Sequence, residues 1–193
     1  MTSIFKVGNQ RIRPGRAWRD SDGTLQPKNW DIWSADEKKA AGISEIVLQP
    51  FPDQRLYISS HNDDGSVTST ARSLTDVKAV DANGNAFLDQ DGNQLITLGV
   101  KSILKDEVKS QQAGRLAQTD WAIVRKADKG TAIPSNIQTY RDAIRTKATE
   151  METAIDNAAD TDAVEALFIN WTTDSDGKVT QSGILYDWPK LGS

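Results

Sequence analysis

The sequence predicts an α+β protein: a β-rich N-terminal module of short hairpins with one helix, followed by a helical C-terminal part. Three observations predict it. Five Asx-Gly pairs punctuate the chain (Asp22-Gly23, Asp64-Gly65, Asn83-Gly84, Asp91-Gly92 and Asp176-Gly177), and the first four fall in the first half. Such pairs tolerate the positive φ of tight hairpin turns, so their density argues for a string of short strands. Between them lie β-branched and apolar runs such as Ile43 to Leu48. Beyond Val100 the apolar period changes to that of an amphipathic helix.

In chain order, Ile4 to Val7 and Arg11 to Arg13 read as a hairpin over Gly8-Asn9. Trp18 and Leu25 flank a turn at Asp20-Ser21-Asp22-Gly23. One helix interrupts the strands, with Ser34 as N-cap, Glu37 completing a capping box and Gly42 as the stop. Ile43 to Leu48 is a strand ending before Pro50. Arg55 to Ser60 and Val67 to Arg72 face each other across Asn62-Asp63-Asp64-Gly65, with Leu56, Ile58 and Val67 as core candidates. Residues 81 to 98 repeat a small theme, Asp81-Ala82-Asn83-Gly84-Asn85 and then Asp89-Gln90-Asp91-Gly92-Asn93, read as a hairpin or linker.

Val100, Leu104 and Val108 recur every four residues with Ile103 beside them, which predicts an amphipathic helix weakening at Gly114. Thr119 is placed to cap a new turn carrying Trp121 and Ile123, followed by a Lys-rich loop at Arg125 to Lys129. Pro134 closes that loop, and Asn136 is the expected cap of the strongest helix, about 137 to 157. Ile137, Ile144, Met151 and Ala158 stand seven apart there, with Tyr140, Lys147 and Ala154 between them. Two positions per seven resemble a coiled-coil seam, which serves either packing on the protein's own core or a homo-oligomer. A shorter helix, about 161 to 169, sets Val164, Leu167 and Phe168 on one side. A last hairpin over Asp174-Ser175-Asp176-Gly177 leads to Tyr186, Trp188 and Pro189. The expected divisions are therefore 1–80, a β-rich module; 81–98, a hairpin or linker; 99–170, a helical region; and 171–193, a C-terminal hairpin and tail.

Composition narrows the chemistry. The chain has 193 residues, no cysteine and one histidine, His61. Thiolate zinc sites, disulfides and cysteine nucleophiles are excluded outright, and most imidazole relays and transition-metal sites need more than one histidine. His61 stands in a turn sequence, where a surface role is expected rather than a place in a triad. The longest apolar stretches are too short to span a bilayer, and no apolar leader region stands near Met1, so no membrane partner is expected. The Asp-rich turns lack the closing Glu of a calcium-binding loop, since Leu98 stands six residues past Gly92. No phosphate-binding or dinucleotide glycine pattern is present. No cofactor is expected. With 27 acids available, a paired-carboxylate hydrolase remains a third reading, although nothing singles out two of them.

Charge is uneven. Lys6, Arg11, Arg13, Arg16 and Arg19 give the first nineteen residues +5, while the whole chain carries −4. Six tryptophans are present, and Trp18, Trp30 and Trp33 lie near this basic arm with Lys28 among them. Arg16, Trp18, Lys28 and Trp30 therefore form a candidate secondary surface, since aromatics beside cations stack on bases or sugars. The competing readings are a β-module core and a protein interface.

Leu116, Thr119-Asp120-Trp121, Tyr140-Arg141 and Ile144-Arg145, with Pro134 in the loop between, resemble the short pattern carried by phage tail assembly chaperone proteins. Arg13-Pro14-Gly15-Arg16-Ala17-Trp18, Asp22-Gly23-Thr24, Pro27-Lys28-Asn29-Trp30, Pro52-Asp53-Gln54-Arg55 and Asp91-Gly92-Asn93-Gln94 are similar, in that order, to segments of cyanophage and marine-phage virion-associated proteins. The resemblance spans most of residues 11 to 146. The chaperone pattern ends soon after its Arg pair, whereas this chain continues into further elements, a departure that leaves both a transient chaperone and a component that stays in the particle open.

What the resemblance implies is a non-enzymatic phage tail protein, either a structural component of tail or tail fibre or a fibre-assembly chaperone. Its partners would be other tail or tail-fibre proteins, and its place the virion tail or the host cytoplasm during assembly. Trp121, Tyr140, Arg141, Ile144 and Arg145 are the candidate interaction residues, with Trp121 lying across Tyr140 and Ile144 and the two arginines sharing a helix edge. The alternative is a nucleic-acid or glycan-binding module built on the basic arm, with nucleic acid the lesser expectation.

Overall fold

A computed structural model describes residues 2–168, 170–173, 175–185 and 187–192, with the side chains of 170–172 and 179–182 outside the description. The architecture is α+β, with short antiparallel hairpins in the first half and helices in the second. The chain forms two compact units, Met1–Thr70 and Ala71–Ser193. The anticipated Tyr186 and Asp174 lie outside the described residues.

The first unit is organised on a three-stranded sheet in the order β2-β1-β5, made of β1 (Ser3–Val7), β2 (Gln10–Ile12) and β5 (Ile43–Val47). Gly8-Asn9 joins β1 to β2, so that Val7 faces Gln10, and Val7 also faces Ile43 on the other side. A second hairpin, β3 (Trp18–Arg19) with β4 (Leu25–Gln26), turns where Asp20 to Gly23 predict it. Helix α1 (Ala35–Ala40) has the complete capping box: Glu37 N–H donates to Ser34 Oγ, and Ser34 N–H donates to Glu37 Oε2. Gly42, at φ 70°, follows the helix as its stop.

Ile12, Trp18, Trp30 and Ile43 form the core of this unit, with Phe5, Val7, Trp33 and Ala41 against it. Trp30 is fully enclosed. Its ring meets Phe5 edge-on at 5.2 Å, and its Nε1 donates to the Arg16 carbonyl at 2.9 Å, so the polar tip of a large apolar side chain is satisfied. The hairpin of β6 (Tyr57–His61) and β7 (Val67–Ala71) completes the region. Leu56 is fully buried as expected, whereas Ile58 is 60% exposed and is not a core residue. The alternation of a two-stranded ribbon with one covered face puts it on the solvent side. Gly65 in the connecting turn is required twice. It sits at φ 84°, and a Cβ there would come within 2.4 Å of the Val47 carbonyl oxygen. His61 ends β6 rather than standing at the tip of the turn, with Nε2 2.8 Å from the Gln49 carbonyl and its ring 4.2 Å from Phe51.

The second unit opens with an arrangement more regular than a linker. Residues 77 to 97 form three short antiparallel pairings: Val80 with Ala86, Leu88 with Gln94, and β8 (Val77–Lys78) with β9 (Ile96–Thr97). Three backbone bonds close a ring between positions eight apart. Ala79 N–H donates to Leu95 O, Leu95 N–H to Phe87 O, and Phe87 N–H to Ala79 O, at 2.8 to 3.0 Å. The octad that repeats Asp-x-Asx-Gly-Asn thus builds a module with approximate threefold symmetry, whose third corner is where the chain enters and leaves. At two corners the Asp carboxylate accepts from its own turn: Asp81 from the Asn83 and Asn85 amides, Asp89 from those of Asp91 and Asn93, at 2.8 to 2.9 Å.

Helix α2 (Val100–Ala117) starts at the third corner, where its free N–H groups are satisfied by the chain that enters the module. Asp76 accepts from Gly99, and the carbonyls of Ser73 and Leu74 accept from Val100 and Lys101. The approach is so close that a Cβ on Gly99 would sit 2.3 Å from the Thr75 carbonyl carbon. Gly114 does not interrupt α2. Helix α3 (Asp120–Lys129) takes in the whole segment expected as a Lys-rich loop and stops at Gly130, φ 67°, whose N–H returns to the Lys126 carbonyl.

Helix α4 (Ser135–Asn157) is capped by position Pro134, and Asn136 lies inside it. Antiparallel packing on α2 is marked at both ends: Lys101 and Lys105 reach Asp156, and Arg141 reaches Leu116. Its buried stripe is Ile137, Tyr140, Arg141, Ile144, Ala148, Met151 and Ile155. Lys147 and Ala154 are not in it, because a straight helix advances by 3.6 residues per turn and drifts off a strict seven-residue seam. Lys147 instead pairs with Asp187 at 3.1 Å. Helix α5 (Thr161–Glu165) is capped by Asp160 and is shorter than expected, though Val164 and Phe168 are buried as anticipated. β10 (Asn170–Thr173) and β11 (Val179–Ser182) form the C-terminal hairpin. After it, Leu185 and Trp188 are buried, with Trp188 Nε1 donating to Gln111 Oε1 at 2.8 Å and its ring under the Arg115 guanidinium.

Candidate protein-interaction site

Of the five residues expected at the interaction site, Arg141 reaches the Thr119-Asp120 step that precedes Trp121, and the others do different jobs. Arg141 is buried, and its Nη1 is the hub. It lies 2.8 Å from the Leu116 carbonyl, 2.8 Å from Thr119 Oγ1 and 2.7 Å from Asp120 Oδ1. The first of these acceptors is an end carbonyl of α2, which has no partner inside its own helix, and a cation there also complements the helix dipole. Thr119 is fully buried and its hydroxyl donates to the same Leu116 carbonyl at 3.0 Å. The expected side-chain cap by Thr119 is therefore absent. The hydroxyl is occupied in tying the end of α2 to Arg141.

The consequence is a fixed bend between α2 and α3. Ala122 is the one α3 residue in the core among those described, and Trp121 is turned outward, 52% exposed. Tyr140 and Ile144 are core residues of α4, covered by the helical packing and not available as anchors. Arg141 and Arg145, four apart on α4, share an edge but differ in burial. Arg145 is exposed and pairs locally with Asp142 at 2.9 Å. Val124 at 64% and Ile123 at 39% exposure accompany Trp121 on α3, beside Arg125, Lys126 and Lys129. Trp121, Val124 and Arg125 stand at i, i+3 and i+4, on one side of the helix.

Neither family models, characterised proteins nor solved structures yield a match to this chain. The site is therefore read from its own geometry.

The secondary surface is corrected by burial. Trp18 and Trp30 belong to the core of the first unit, so they present no face for stacking. Arg16 and Lys28 are exposed, and Arg16 contributes its carbonyl to Trp30. The basic arm is partly consumed within its own unit: Lys6 pairs with Asp63 at 2.5 Å, and Arg19 donates to the Gly23 carbonyl at 2.7 Å. Among the described residues no group of three His, Asp or Glu is gathered to hold a metal ion, and no helix is long and apolar enough to cross a membrane. The Asp carboxylates of the octad turns face their own amides. Hydrogen bonds from Asn85 hold the Asp81 carboxyl below the usual range, and the Asn93 amide does the same for Asp89.

Sequence reasoning missed the threefold module. The signal was present: Asp81 and Asp89 head identical turns eight residues apart, and Ala79-Val80, Phe87-Leu88 and Leu95-Ile96 keep the same spacing. Val80, Leu88 and Ile96, at equivalent positions, are 51%, 57% and 50% exposed. That equality is what an approximate symmetry requires, and it leaves the module's apolar side chains uncovered.

Proposed function

We propose that this protein works by binding protein surfaces, without chemistry of its own, as a component or assembly factor of a bacteriophage tail. One observation carries the binding part. The Thr119-Asp120-Trp121 step and the Tyr140-Arg141 pair meet in space, with Arg141 gripping Thr119 and Asp120 while Trp121 stays outside. A buried charged clamp that presents an uncovered tryptophan on a rigid corner suits recognition, because tryptophan is enriched among residues that dominate binding energy. The tail assignment rests on the order of the motifs that resemble tail proteins.

Two measurements test the reading. Quantitative mass spectrometry of purified particles distinguishes the roles: stoichiometric recovery means a resident component, and absence despite expression means an assembly factor. Trp121→Ala should weaken binding to the tail partner by about 2 kcal/mol or more, roughly thirtyfold, with the melting temperature unchanged. Equal binding by the variant would remove Trp121 from the interface.

A further inference from the structure

We infer that the partner on this surface includes a second copy of the same chain, with α3 of one copy docking on the octad module of the next. The inference rests on the surface-binding reading above and names an occupant for it.

Two uncovered apolar surfaces lie in the second unit. The module 77–98 leaves Val77, Val80, Phe87, Leu88, Leu95, Ile96 and Leu98 each about half exposed, between 48% and 57%. Half the area of seven large apolar side chains is on the order of 600 Å² in total, shared between the two sides of the short strands because chain neighbours point opposite ways. The second surface is α3, with Trp121, Ile123 and Val124.

Charge decides which surface each one fits. Over 77–98 the module carries Asp81, Asp89 and Asp91 against one cation, Lys78. Two such faces meeting in a symmetric pair would bring like charges together. Helix α3 carries Arg125, Lys126 and Lys129, and of its two acids Asp120 is already paired with Arg141. Apolar groups with a basic rim on one surface therefore match apolar groups with an acidic rim on the other. A contact between different patches of two copies is heterologous, so association continues into a ring or filament rather than stopping at a dimer.

The test uses the full chain in analytical ultracentrifugation, with two variants. Leu88→Asp with Ile96→Asp disables the module; Trp121→Asp with Val124→Asp disables α3. The expected result is a wild-type mass that grows with concentration across the micromolar range. Each variant alone is monomeric, and their equimolar mixture forms a dimer and nothing larger, because one intact interface remains. Should either variant lose its helical circular dichroism, carbodiimide cross-linking of mixed ¹⁴N- and ¹⁵N-labelled wild type replaces it. Bonds between copies are then expected from Lys126 or Lys129 to Asp81, Asp89 or Asp91. A monomeric wild type, an α3 variant that still associates, or cross-links confined to other sites each overturns the inference. A chain that stays monomeric yet is recovered from particles sinks self-association alone. One that associates but neither enters particles nor binds tail proteins sinks the tail reading alone.

Discussion

At the scale of single residues, the corner between α2 and α3 depends unequally on its two charges. Arg141 is buried and serves three acceptors, whereas the Asp120 side chain is 56% exposed. Arg141→Met would leave the Thr119 hydroxyl oxygen without its buried donor, while the Leu116 carbonyl keeps the Thr119 N–H and hydroxyl, at a cost of about 1–3 kcal/mol. Asp120→Asn removes a mostly hydrated partner and should cost less than about 1 kcal/mol. Urea denaturation of the two variants checks the order, and equal losses would mean that the ion pair itself holds the bend. Gly99 makes a different demand. With the Thr75 carbonyl oxygen 2.5 Å from where a Cβ would stand, Gly99→Ala must shift the backbone that caps α2. A loss of about 2 kcal/mol or more is expected, again from denaturation midpoints. Gly114, open on all sides, should accept alanine with a gain instead, since alanine favours helix.

At the scale of elements, the hairpin turns and α1 were legible because their determinants are local. The four residues from Ser34 to Glu37 contain the whole capping box. All five Asx-Gly glycines take φ between 77° and 84°. Assembly of such turns into a closed threefold ring is marked only by the eight-residue repeat of Ala79, Phe87 and Leu95, which no single turn displays. The turns also set an acid sensitivity. Hydrogen bonds accepted from Asn85, Asn93 and Gly99 depress Asp81, Asp89 and Asp76. A group whose folded pKa is lowered stabilises fully above its unfolded pKa and loses that contribution as pH falls through the folded value. Protection of the Phe87 and Leu95 amides from hydrogen exchange, corrected for intrinsic rates, should therefore hold at neutral pH and fall from about pH 4 downward. Asp81→Asn with Asp89→Asn should flatten that dependence; a profile unchanged by the pair would detach the module's stability from its turn carboxylates.

At the scale of the whole molecule, the second unit holds half-exposed apolar side chains both on 77–98 and on α3. Of the five candidate interaction residues Trp121 alone is an exposed apolar side chain, and Ile123 and Val124 accompany it on α3. The order of hairpins and helices, the Ser34 capping box and the lack of thiols could be read from neighbouring residues or composition, whereas the caps expected at Thr119 and Asn136 gave way to tertiary contacts and to Pro134. Burial is different in kind. Whether Trp30 stacks on a ligand or fills a core, whether Arg141 is a surface charge or an internal clamp, and which stripe of α4 faces α2 depend on segments distant in the chain. Those outcomes turn on competition for a limited interior, and only the folded arrangement says which side chain occupies it.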